Sequence, residues 1–134
     1  MLNEITVPLW GLVIFILWTI AIAVLLLVVR IRHLATGGSI KDFATPNDKN
    51  LFWRLYRVHA NLVENLPLYL GIVFLLIVRG ASGTEINILI GIYIAFRLAH
   101  SIIHVADLNP TLRAICLGIQ FSCLIGLTAL GVFY

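Results

Sequence analysis

Arg54–Pro67 reads RLYRVHANLVENLP, and Leu68–Val78 continues it as LYLGIVFLLIV. A helix about to enter lipid thus carries Arg57, His59, Asn61, Glu64 and Asn65 in its first turns. Each ionisable group inside a span costs roughly 2.5–3.5 kcal/mol on insertion scales, so such groups face a protein interior or a watery cavity. On a helical wheel Arg57, Asn61 and Glu64 fall at i, i+4 and i+7, on one face, and Arg54 extends that stripe by a turn. His59 and Asn65 project elsewhere. The fold must supply the stripe with something other than lipid to face.

The composition says which fold that is. Of 134 residues, 61% are hydrophobic and 11% charged, and the mean hydropathy is +1.06, outside the range of soluble domains. The chain reads as an integral membrane protein. A hydrocarbon core of ~30 Å takes roughly 20 apolar helical residues to cross, and four runs supply them: Val7–Val29, Ala60–Val78, Ile86–Ala106 and Leu112–Phe133. With their ends these predict helices over 5–32, 50–79, 85–106 and 110–133, in a single transmembrane domain over 1–134. Any chemistry must then sit between helices or at the membrane surface. The first run is a span and not a cleavable signal, because its basic cluster follows the apolar stretch instead of preceding it.

The connections set the topology. His33–Asn50 contains the turn formers Gly37, Gly38, Pro46 and Asn47 and lacks an apolar period, so it reads as a loop. GASGTE (Gly80–Glu85) is a short turn in which Thr84 is expected to cap the third helix. In DLNPT (Asp107–Thr111), Asn109 is placed to cap a helix starting at Pro110. Turns this short make neighbours antiparallel, giving an all-α, up-down-up-down four-transmembrane-helix bundle.

Charge orients it. Arg30, Arg32, Lys41, Lys49, Arg54 and Arg57 gather about the first connection, Arg97 and Arg113 flank the third, and Arg79 alone marks the second. The positive-inside rule makes the first and third connections cytoplasmic and puts both termini on the other side. A multi-pass protein of an inner or plasma membrane is the expectation. The pI near 9.2 follows from that asymmetry, and without a basic stripe interleaved with aromatics no nucleic acid partner is expected. Cys116 and Cys123, seven apart on the last helix, lie about 10 Å apart along it and cannot form a disulfide. They read as small packing residues.

A second stripe, Arg97, His100 and His104 at i, i+3 and i+7, occupies one face of the third helix. Two readings compete. Glu64 could neutralise Arg57 or Arg97 as a clamp between helices, with Arg30, Arg32, Arg54 and Arg113 snorkelling to headgroups. Alternatively, Arg30, Arg57, Arg97 and Arg113 stand against a single intramembrane acid, Glu64, and surplus buried positive charge asks for an anionic ligand. A metal is not expected: His100 and His104 make two ligands, and Asp107, the one candidate third, belongs to a turn.

The string R-x-H-x-N-x-x-E followed by N-x-P in RVHANLVENLP, with FRLAH on the third helix and VRIR ending the first, resembles the MAPEG family, the membrane-associated proteins in eicosanoid and glutathione metabolism. The likeness covers nearly the whole chain and is nearest to microsomal glutathione transferase-like, bacterial-type members. It implies a homotrimer holding glutathione, as cosubstrate, in a cytoplasm-facing cleft between helices of adjacent subunits. It implies that Arg57, Asn61 and Glu64 hold the tripeptide, Glu64 suiting its ammonium and the arginines its carboxylates, and that Arg30 reaches the same ligand. Arg97 and His100 match polar lining on the third helix. Arg113 matches the arginine beside the sulfur, where a fixed cation would favour the reactive thiolate; a guanidinium suits this because it keeps its proton.

The chain departs from some relatives. His104 stands where several have tyrosine, Ala114 where some prostaglandin synthases have serine, and Ala60 where some members have arginine. These differences argue against a specialised prostaglandin isomerase and leave conjugation and peroxide reduction open. His104 reads either as a donor to the thiol or as a polar residue at the helix end. A glutathione-dependent transferase or peroxidase acting on lipophilic electrophiles or hydroperoxides is the leading expectation. Its second substrate would come from the bilayer, past the apolar faces of the first and fourth helices. Two alternatives stand beside it. A non-catalytic lipid- or partner-binding member would have little use for Arg113 beside a complete Arg57, Asn61, Glu64 set. A proton conduit through Glu64, His100 and His104 lacks the broken or repeated helices of a transporter.

Overall fold

A computed structural model describes residues 5–43, 47 and 49–134. Among these residues four α-helices, α1 (Val7–Ala35), α2 (Leu51–Val78), α3 (Thr84–Val105) and α4 (Pro110–Phe133), are joined by a long first connection and two short turns. All four are long and apolar enough to cross a membrane, and no strand occurs among the described residues. The protein is an all-α, multi-pass integral membrane protein.

Capping residues set where the helices begin. Asn50 accepts a hydrogen bond from the Phe52 amide (2.9 Å) ahead of α2, and Asn109 accepts one from the Thr111 amide (2.8 Å) ahead of α4, with Pro110 as its first residue. The expected cap at Thr84 is corrected. Thr84 is already helical, the N-cap is Gly83, and no side chain bonds the first turn of α3. Gly83 has φ +148, a conformation open to glycine, so the chain turns one residue earlier than a threonine cap would have it. α1 runs past Arg32 to Ala35. Pro67 lies inside α2.

α2 and α3 pack against each other and against both remaining helices, α1 against α2 and α3, and α4 against α3 and α2. Hydrogen bonds between helix ends fix the alternating directions. Tyr69 Oη donates to Pro8 O (2.7 Å), Arg54 Nε to Val105 O (2.9 Å), and Arg79 to Gly131 O and Tyr134 O (3.2 and 3.3 Å). One end of the bundle thus holds the start of α1, the α2–α3 turn and the end of α4; the other holds the long loop and the α3–α4 turn. Phe15, Tyr69 and Tyr93 stack at the centre, with ring centroids 5.4–6.2 Å apart. Gly11 lets α1 come this close, since a Cβ there would collide with the Tyr69 hydroxyl. Outward-facing Leu17, Ile20, Leu25, Phe74 and Ile125 are exposed, as lipid contact requires. Cys116 and Cys123 are free and buried.

The first connection is more ordered than a loop reading implies. Ile40–Phe43 forms a 3-10 turn, pinned by His33 Nε2 against Asp42 Oδ2 (2.7 Å) and by the Ser39 amide donating to the same oxygen (2.9 Å). Phe43 lies against Phe52 (4.2 Å), and the Arg30 guanidinium sits over both rings, at 5.8 and 5.3 Å. Gly37 turns the chain at φ +91; Pro46, also expected to turn it, lies outside the described residues.

Candidate functional site

At the loop end of the bundle, α2, α3 and α4 enclose a cavity of about 370 Å3, lined by Arg57, Ala60, Asn61, Glu64, His100, His104 and Arg113. The helical periods build it. α2 supplies Arg57, Asn61 and Glu64 from one face, α3 supplies His100 and His104 one turn apart, and α4 brings Arg113 in its first turn, just after the Asn109 cap. The two polar stripes meet inside one chain. Ala60 is the one apolar position among the described residues of the wall. The volume falls within the roughly 300–1,000 Å3 of small-ligand sites.

Electrostatically the wall is lopsided. Among the described residues Arg57 and Arg113 face one carboxylate, Glu64, and Glu64 makes no ion pair with another described residue. The clamp between helices, in which Glu64 neutralises Arg57 or Arg97, is not formed. α4 begins at this end of the bundle, with Arg113 in its first turn, so its positive dipole end lies nearby and adds to the preference for an anion.

Arg97 differs from the position expected for it. It is 1% exposed and stands behind the wall, its Nη2 donating to Asn61 Oδ1 and, at 2.8 Å, to His100 Nδ1. The stripe on α3 runs deeper than the cavity floor, so its innermost member is covered by two residues that do line it. Arg30 is also absent from the wall, held over Phe43 and Phe52. Sequence reasoning set Asn65 aside, yet it is 6% exposed and donates from Nδ2 to Asn61 O (2.8 Å). Its spacing of four from Asn61 was the available signal.

Starting one turn beyond Glu64, an apolar groove of about 740 Å3 follows α2 and α4, with Pro67, Leu68, Gly71, Phe121 and Ile125 among its lining. Within one chain this groove is framed by α2 and α4. α1 packs on α2 and α3 and leaves α4 to pair with α2.

Fold and site together define a four-helix membrane protein with a basic, ligand-sized pocket at one end of its bundle and an apolar groove beside it. A family model for the MAPEG family matches residues 8–133. The chain belongs to the MAPEG family. No curated protein and no solved structure gives a significant match.

Proposed function

We propose that the protein is a membrane-bound glutathione-dependent transferase or peroxidase, acting on lipophilic electrophiles or hydroperoxides. The observation that carries this reading is the pocket that Arg57, Asn61, His100, His104 and Arg113 line together with a Glu64 that makes no ion pair with another described residue. Glutathione has two carboxylates, an ammonium and a thiol, and the wall has a partner for each. Arg57 and Asn61 suit the carboxylates, Glu64 suits the ammonium, and Arg113 stabilises the thiolate, the nucleophile that bound glutathione supplies. The groove along α2 and α4 gives an apolar second substrate a place beside the pocket. On this reading Arg30, outside its own chain's pocket, serves the pocket of an adjacent subunit in a homotrimer, and the pocket opens to the cytoplasm.

The test is direct. Glutathione should raise the thermal stability of the detergent-purified protein and be consumed with an aryl halide, a lipid hydroperoxide or an epoxide. Glu64→Gln removes one partner of a charge-assisted contact, worth roughly 1.5–3 kcal/mol, so affinity should drop about tenfold to a hundredfold. Unchanged affinity in a well-folded Glu64→Gln protein overturns the assignment, and binding without turnover on all three substrates overturns the enzymatic part.

A further inference from the structure

Arg97 is 1% exposed, and one of its nitrogens, Nη2, makes both of its hydrogen bonds to neighbouring side chains, one to Asn61 Oδ1 on α2 and one to His100 Nδ1 on α3. Nη2 carries two hydrogens, and two acceptors use both. A guanidinium has no lone pair to offer, so each partner must present an acceptor to it. For Asn61 this fixes the amide, oxygen toward Arg97 and Nδ2 away. For His100 it fixes the ring. A proton on Nδ1 would set two N–H hydrogens against each other across 2.8 Å, so Nδ1 carries the lone pair and the proton sits on Nε2. Asn61 and His100 both line the cavity. With their acceptor atoms turned to Arg97, what they offer the cavity is N–H.

We propose that Arg97 is a positioning residue that sets the hydrogen-bond polarity of the pocket, locking His100 as an Nε2–H donor and Asn61 as an Nδ2–H donor toward the ligand. The cavity then presents donors from Arg57, Asn61, His100 and Arg113, with Glu64 as the one carboxylate among its described lining residues. Its occupant is a molecule rich in anionic or acceptor atoms with a single cationic group. The planar guanidinium suits the task because the two hydrogens on one nitrogen diverge and reach two helices at once; the rotating ammonium of lysine holds neither angle. For glutathione the inference rests on the proposed function, and it assigns His100, with Arg113, to the acceptor atoms of the ligand.

The test begins without ligand. Protein labelled with 15N-histidine is examined by NMR, and the His100 signals are identified by their loss in His100→Gln. The expected result is a protonated Nε2 and an unprotonated Nδ1 in the parent, and a tautomer mixture in Arg97→Met. A parent His100 with its proton on Nδ1 overturns the proposal whether or not Arg97→Met folds; an Arg97→Met protein with the parent tautomer overturns it too. A second arm uses glutathione. The Gln amide nitrogen stands near the position of Nε2 and the Asn nitrogen near Nδ1, so His100→Gln should bind within about threefold of the parent and His100→Asn about tenfold more weakly, the loss of one hydrogen bond. Equal losses in both variants overturn the donor role of His100. If the parent fails to bind glutathione, the proposed function falls, while the ligand-free tautomer still decides the role of Arg97.

Discussion

Arg113 illustrates how much one residue's address determines. It sits in the first turn of α4, after a side-chain cap, and its guanidinium lines a cavity shared with Glu64 and two histidines. A thiolate placed there is favoured by the fixed cation and by the helix dipole together. In Arg113→Leu the guanidinium is gone while bulk and helix propensity remain. The ultraviolet absorbance of bound glutathione thiolate, titrated against pH, should then move upward by one to two units, roughly 1.4–2.7 kcal/mol. Turnover should fall far more than affinity, which the proposed function assigns mainly to Arg57 and Glu64. Coincident titrations with turnover preserved would make Arg113 a headgroup anchor instead.

The first connection carries a prediction of its own. The Ser39 amide, and after it His33, hold the Asp42 carboxyl below its ordinary range. A carboxylate depressed in the folded state contributes stability above its unfolded value and loses it as pH falls through the folded one. The 3-10 turn should therefore stay closed at neutral pH and loosen below roughly pH 4. Hydrogen exchange at the Ser39 amide, compared with Asp42→Ala, reads this; equal protection in both proteins at neutral pH would remove the pin. That turn was not legible in the sequence, because His33 and Asp42 are nine residues apart with no period between them and only chain reversal at Gly37 brings them together. The pocket was largely legible for the opposite reason. Arg57, Asn61 and Glu64 share a helical face, as do His100 and His104, and an apolar background makes such faces conspicuous. Which stripe members line the cavity and which stand behind them depends on depth along crossing helices, and a helical wheel discards depth. Arg97 was misplaced for that reason.

At the scale of the molecule, α1 is the least covered helix, with 11% of its most apolar window buried, and Arg30 at its far end lies outside the pocket. A neighbouring subunit's pocket is where the proposed trimer would use Arg30. Native mass spectrometry in mild detergent should find three copies, and Arg30→Ala should lower glutathione affinity without dissociating them; a stable glutathione-binding monomer would contradict the trimer. Pro67 has a consequence at this scale too. Lacking an N–H, it leaves the Val63 carbonyl without its helical partner, at the level where the charged wall of α2 ends and the apolar groove begins. α2 continues through Pro67 as one helix, one backbone hydrogen bond short at this level. The charged wall and the apolar groove thus meet where the backbone ladder of α2 is weakest.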